Sequence, residues 1–161
     1  MPDLSNYSSE NPENTEAQFM IQRIYLKDSS FEAPNTPTVF QHAWEPEVTL
    51  DLQCGHSTLA EGLYEVGLNL SVKVLNKTVL AFLVEIKQAG IFQIIGLNQE
   101  QLRHMLGCFC PNILFPYARH IISSQVTDGG FPPLILAPVN FDALYRQQVA
   151  QTHTLVTQKT S

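Results

Sequence analysis

Gly107-Cys-Phe-Cys-Pro-Asn-Ile-Leu-Phe-Pro-Tyr-Ala-Arg-His-Ile-Ile-Ser-Ser-Gln-Val126 is the stretch that decides how this chain must fold. Its apolar content is that of a core helix, yet Pro111, Pro116 and the Cys108-Phe109-Cys110 run interrupt its first half. Arg119 is its sole charge, and across Gln88 to Asn140 the charged residues are only Glu100, Arg103, Arg119 and Asp128. A chain of 161 residues exposes a large fraction of its surface. So apolar a segment needs more cover than one protomer supplies, which points to self-association.

The helical signals begin just before it. Asn98 is a good N-cap, with Gln101 placed for a capping box and Leu97 and Leu102 spaced as a hydrophobic staple. Leu102, Met105, Leu106 and Phe109 follow at helical spacing. The residue before a proline is disfavoured in helical geometry, so this helix should break near Cys110. Pro111 suits the first turn of a second segment, and Pro116 predicts a kink or a late start there. Leu114, Tyr117, Ala118, Ile121 and Gln125 form the expected stripe, stopped by Gly129-Gly130.

Upstream, the periodicity is that of strands. Phe19 to Glu32 alternates loosely, with Met20, Gln22, Ile24, Leu26, Asp28, Ser30 and Glu32 expected on one face. Pro34 and Pro37 open a loop carrying Phe40, His42 and Trp44. Glu47 to Cys54 alternates cleanly, Val48, Leu50, Leu52 and Cys54 facing one way, before a polar loop over 55–62. Leu63 to Leu75 is the strongest strand, and Asn76-Lys77 a short hairpin turn. Thr78 to Gln88 is apolar on both faces over most of its length, so both should be covered. Gly90 is expected to allow a bend before Ile91 to Ile95. Beyond the helices, Phe131 to Val139 is an extended connector, and Asn140 caps a last helix with Phe141, Leu144, Tyr145 and Val149 on one side. The fold class is α+β: a four-stranded antiparallel, Greek-key-like sheet with C-terminal helices packed on one side. Residues 18–150 form the domain, between a disordered arm (1–17) and a flexible tail (151–161).

Composition narrows the function. With 15 acidic against 9 basic residues and a net charge of −6, the chain lacks a surface that would neutralise phosphates, which argues against nucleic acid. An acidic protein attracts basic partners instead. Three cysteines without framework spacing suit a reducing compartment. The first eighteen residues hold no Lys or Arg and no apolar run, unlike a signal peptide, and no window approaches the about 18 apolar residues of a membrane span. A cytoplasmic protein is expected.

No catalytic or cofactor signature is present: no G-x-S-x-G, Walker loop, dinucleotide fingerprint or H-E-x-x-H. His104, Cys108 and Cys110 tempt as a zinc or thiol site. Cys-x-Cys is too short for the usual ligand pair, and no second pair or orienting base accompanies it. They are taken as small buried residues at a helix break, so no metal, cofactor or enzymatic activity is expected. Asp28, Glu32 and Glu85 could be solvated strand carboxylates, an acid–base pair, or an acidic patch around Leu83 that receives a basic partner. The aromatics Phe40, Trp44, Phe131, Phe141 and Tyr145 either pin loop and helix to the sheet or line an adaptable groove for peptides.

Here the residues resemble a known family. Asn112-Ile-Leu-Phe-Pro-Tyr-Ala-Arg119, Leu136-Ala-Pro-Val-Asn-Phe-Asp-Ala-Leu144 and Ile21-Gln-Arg-Ile-Tyr25, the last followed by Lys27-Asp28 and Ser30-Phe-Glu-Ala-Pro-Asn35, are similar to the SecB protein-export chaperones. Gly90-Ile-Phe92 and Cys110-Pro111 fit too, and the resemblance runs from about Gln18 to Gln148. It implies a homotetramer, a dimer of dimers with helices sandwiched between sheets. It also implies an ATP-independent holdase that keeps unfolded precursors competent for translocation and hands them to the SecA ATPase. Asp28, Glu32, Leu83 and Glu85 stand where the family docks SecA's zinc-containing C-terminal segment. Val84, Ile86 and Gln88 match positions that govern tetramer assembly; Leu114, Tyr117 and Ile121 belong to the helix stripe expected between protomers. Phe40, Trp44, Val48, Leu50, Leu52, Phe141, Leu144 and Tyr145 match the client groove. The alternative is a SecB-like holdase acting outside export, for instance with an antitoxin.

Overall fold

Strands β1 (Gln18–Glu32), β2 (Pro46–Ala60), β3 (Leu63–Asn76) and β4 (Val79–Ile95) form one antiparallel sheet in the order β1-β4-β3-β2. This is a computed structural model; it describes residues 16–159, with side-chain surroundings as far as residue 151. Three strands joined by hairpins and a fourth reached by a long connection is Greek-key order, as expected. The long connection carries a single 3-10 turn, Thr38–Gln41, pinned by buried Val39.

The expected alternation holds in β3, whose Val66, Leu68, Leu70, Val72 and Val74 are all buried. They share a face with Phe82, Val84, Ile86, Phe92 and Ile94 of β4. β1 differs from expectation, because register shifts fall between Ile21 and Arg23 and between Leu26 and Asp28. Each extra residue flips the parity. Ile24 and Leu26 therefore pair with Gly90 and Gln88 on the helix side, while Asp28, Ser30 and Glu32 pair with Lys87, Glu85 and Leu83 on the outer side. One face for all seven residues was the wrong expectation.

Other boundaries move as well. β2 continues through the residues expected as a loop, His56 to Ala60 pairing with Leu63 to Val66; backbone pairing at an edge needs no apolar side chain. The hairpin turn is Lys77-Thr78, since Asn76 still pairs with Val79, and Lys77 takes φ 60°. No break occurs at Gly90. A β-carbon there would lie 2.9 Å from the Phe92 ring and 3.1 Å from the Arg23 carbonyl, so glycine serves close packing in a continuous strand.

Helix α1 (Gln99–His104) starts with the expected capping box: Gln101 N–H donates to Asn98 Oδ1 at 2.8 Å and Asn98 N–H to Gln101 Oε1 at 3.1 Å. The expected break at Cys110 is replaced by a π-helical segment, Met105–Phe109. Cys110 keeps helical angles and its N–H donates to Met105 O, five residues back. The wider turn leaves room for the Pro111 ring, so helix α2 (Cys110–Asp128) follows without interruption and runs through Pro116. Its inward face is Leu114, Phe115, Ala118, Ile122 and Val126, packed on β3 and β4 in one core. Tyr117 is half exposed and Ile121 only partly buried, so this part of the stripe is not covered within the protomer.

Asn140 caps α3 (Phe141–Lys159) as expected, accepting from Ala143 N–H at 3.0 Å. The backbone of 151–159, expected as a loose tail, continues this helix. Most of the expected arm (1–17) lies outside the described residues. No described helix is long and apolar enough to cross a membrane.

Candidate functional site

Two surfaces of the sheet carry the candidate residues. On the outer face, antiparallel register sets Glu32 beside Leu83 and Lys73, then Ser30 beside Glu85 and Ser71, then Asp28 beside Lys87 and Asn69. The second bulge of β1 is what brings Asp28 and Glu32 to the same side as Leu83 and Glu85. All three carboxylates are exposed and Leu83 is half-buried. Asp28 and Glu32 lie four residues apart on a strand, about 13 Å by its rise, with Ser30 between them. Asp28 and Glu32 therefore cannot share a proton with each other, and Glu85, opposite Ser30, lies between them. The patch is flat and acidic along β1 and β4, with Lys73 and Lys87 flanking its inner side.

Further along this face a clasp crosses three strands. Tyr25 OH donates to Glu65 Oε2, and Lys27 Nζ donates to Glu65 Oε1 at 3.0 Å. Small Ala89, opposite both Tyr25 and Gly67, leaves the way across β4 clear. These two donors hold the Glu65 carboxyl below its ordinary range. Burial, then the bond and charge of Glu65, push the Tyr25 phenol up to about 12. Stability from Glu65 is present above its ordinary value and lost as pH falls through the lowered folded one. That from Tyr25 is present below about 10 and lost as pH rises towards 12. Tyr25→Phe is expected to cost about 1 kcal/mol at neutral pH and to flatten the decline above pH 10, as urea unfolding at several pH values will report.

On the helix side, α2 covers β3 and β4 but leaves β2 bare. Val48, Leu50, Leu52 and Cys54 pair with buried Val74, Val72, Leu70 and Leu68, so they face the same way. Val48 is nonetheless 43% and Leu50 37% exposed. At one end of this strip, Phe40 (49% exposed) and Trp44 rest on buried Phe131, with ring centroids at 4.9 and 5.8 Å. Phe131 sits in turn on Phe82 at 4.8 Å. At the other end, Leu52 and Cys54 meet Phe141, Leu144 and Tyr145 of α3 around a hollow of about 180 Å³. Phe141 itself is buried against Phe115. The eight predicted groove residues thus lie along one strip, six of them lining it and Phe141 supporting it from the core, with Trp44 half-buried between. A larger adjoining cavity of about 960 Å³ between β2 and α3 is lined by Cys54, His56, Leu106, Tyr145 and Val149.

The residues expected at the subunit interface divide. Val84, Ile86 and Leu114 are fully buried inside the protomer, where they join α2 to the sheet. Gln88 is only 3% exposed; its Nε2 donates to Tyr25 O at 2.9 Å, while its Oε1 has no partner among the described residues. Gln88, Tyr117 and Ile121 line an open hollow of about 470 Å³ with Ile24, Leu26, Pro116 and His120.

This geometry can now be set beside known proteins. The family described as preprotein translocase subunit SecB matches residues 12–152. Protein-export protein SecB of Legionella pneumophila strains Corby and Lens is 59% identical over 141 residues, 88% of this chain and 87% of theirs. The chain belongs to the SecB family. Its role as a protein-export chaperone follows from that membership. The fold is also that of a SecB-like chaperone of Mycobacterium tuberculosis solved with an antitoxin peptide, at TM-score 0.64 and 16% identity, over 75% of this chain and 90% of that one. At that identity the likeness concerns the fold alone.

For a SecB protein, three features escaped the sequence. Phe131 proves to be the hub beneath the loop aromatics, although its place in a proline-rich connector marked it only as one aromatic among several. His56 lies in a segment expected as a loop. Asp142 joins His104 and Cys108 from a helix 38 residues further on, a juxtaposition that no local spacing announces.

Proposed function

We propose that this SecB chain is an ATP-independent, cytoplasmic holdase that binds unfolded precursors along the β2 strip and passes them to the SecA ATPase. The observation that carries this is the uncovered apolar run of Phe40, Val48 and Leu50 at the edge of a sheet whose central strands, β3 and β4, lie under a helix on that face. An unpaired edge strand adds main-chain donors and acceptors to that run, so an extended chain of any sequence has something to bind. A site that takes the unfolded chain and not the native one slows folding by mass action and needs no nucleotide. Several such strips around a dimer of dimers act as linked sites and raise avidity without sequence specificity. The hollow around Tyr117, Ile121 and the orphan Gln88 Oε1 supports a second protomer packing there.

The outer face supports the SecA role. Leu83 is an apolar spot beside Glu32, with Glu85 and then Asp28 further along the same face, which suits a basic, zinc-containing segment. The 59% identity with export proteins favours this role over one with an antitoxin. Without ATP, the purified protein should delay refolding of a slow-folding precursor, and Leu50→Asp should weaken that delay. Leu83→Arg should weaken SecA binding at least about tenfold while leaving the refolding delay unchanged. No delay by the wild-type protein would overturn the holdase role; full SecA binding by Leu83→Arg would overturn the docking face.

A further inference from the structure

The fold brings together a set of ligand atoms that the export role does not use. His104 closes α1, Cys108 lies in the π-helical segment, and Asp142 stands in the first turn of α3. One ligand atom from each lies within 4.8 Å of the other two. We propose that His104 Nε2, Cys108 Sγ and Asp142 Oδ1 form a site for a zinc-like divalent cation, with solvent as fourth ligand.

The spacing of these atoms fits a shared cation as well as an ion pair. His104 Nε2 and Asp142 Oδ1 stand 3.3 Å apart. A charge-assisted N–H···O bond is shorter, about 2.7–2.9 Å. Two N and O ligands at about 2.0–2.1 Å from tetrahedral zinc are separated by about 3.3 Å. The sulfur needs a separation of about 3.6 Å from the other two, and all three atoms lie within 4.8 Å of one another. The supports around the ligands are in place. Arg146 holds the other carboxylate oxygen, Asp142 Oδ2, and leaves Oδ1 for the metal. The Tyr145 ring meets His104 edge-on at 5.3 Å and fixes the imidazole. Tyr145 is fixed in turn by Gly107, where a β-carbon would lie 2.7 Å from its ring. Such outer partners orient metal ligands. Cys110, the third member suggested by sequence, is fully buried and outside the group. Its place is taken by Asp142. On binding, the Cys108 S–H bond breaks, sulfur bonds the metal as thiolate and the proton leaves to solvent. The site would clip the start of α3 to the π-helical segment whether or not the chain binds clients.

Cobalt(II) titration of the full-length, untagged, reduced protein tests this. One Co(II) per chain is expected, with thiolate-to-cobalt charge transfer in the near ultraviolet and visible bands of four-coordinate intensity, all abolished by excess Zn(II). Cys108→Ser should remove the charge-transfer band and Cys54→Ser should keep it. His104→Gln and Asp142→Asn should each weaken binding at least tenfold, and Arg146→Ala about tenfold. Absence of the band in folded wild-type protein, its survival in Cys108→Ser, or cobalt uptake without thiolate absorption would overturn the proposal. Should Cys108→Ser fail to fold, exposed His104→Gln decides the matter: unchanged affinity there overturns it equally.

Discussion

Phe131→Ala is expected to lower the stability of the protomer by about 3–5 kcal/mol, the range for removing a buried phenyl ring. Phe131 is 4% exposed and meets four aromatic rings: Phe31, Phe40, Trp44 and Phe82. The loss combines the transfer free energy of the ring, a cavity its neighbours fill only partly, and aromatic contacts each contributing about 0.5–1.5 kcal/mol. Urea unfolding followed by circular dichroism measures it. Because Phe40 and Trp44 have the Phe131 ring beneath them, their loop should loosen too, and binding of an unfolded precursor should weaken. A loss under about 1 kcal/mol, the size of an ordinary surface change, would show that the connector does not organise this end of the strip.

A second large effect separates core from contact surface within α2. Leu114→Ala empties a fully buried position and should cost about 2–5 kcal/mol of protomer stability. Tyr117→Arg, one turn on and half exposed, should leave the protomer folded and instead place a charge in the hollow near Gln88 and Ile121. Under the proposed assembly, that desolvated charge should dissociate tetramers to smaller species, as light scattering at falling concentrations will report. An unchanged mass for Tyr117→Arg would remove this hollow from the interface.

Much of this was legible in the residues. Strand number, sheet order class, both helix caps and the faces of β3 and β4 follow from alternation and capping chemistry, because one buried face forces the register. β1 resisted because a bulge leaves no mark on composition: Gln22 and Lys27 look like any other strand residue, yet each shifts all that follows. The core face of α2 was less legible for a similar cause, since Leu114, Tyr117 and Ile121 are all apolar and only the sheet's position picks Phe115 and Ile122 for the core. Of the candidate site, the placement of the outer patch was legible because Asp28 and Glu32 both follow the last bulge of β1 and Leu83 and Glu85 share one face of β4. The groove was legible through Val48, Leu50 and Leu52, whose alternation is uninterrupted. Phe131 and Asp142 were hidden because what they do depends on long-range neighbours.

The π-helical segment has a bearing on how this chain tolerates length changes. It holds one residue more than an α-helical turn, and that residue sets the angular phase between everything from the Asn98 cap to His104 and everything from Cys110 onward. Losing a single residue between Met105 and Phe109 would yield a more regular helix by local geometry. It would also rotate α1 by about 100° relative to α2, the angle of one residue in an α-helix, and swing Leu102 and His104 away from their neighbours. The irregular turn therefore acts as a spacer measured in degrees, and it fixes the length of this part of the chain.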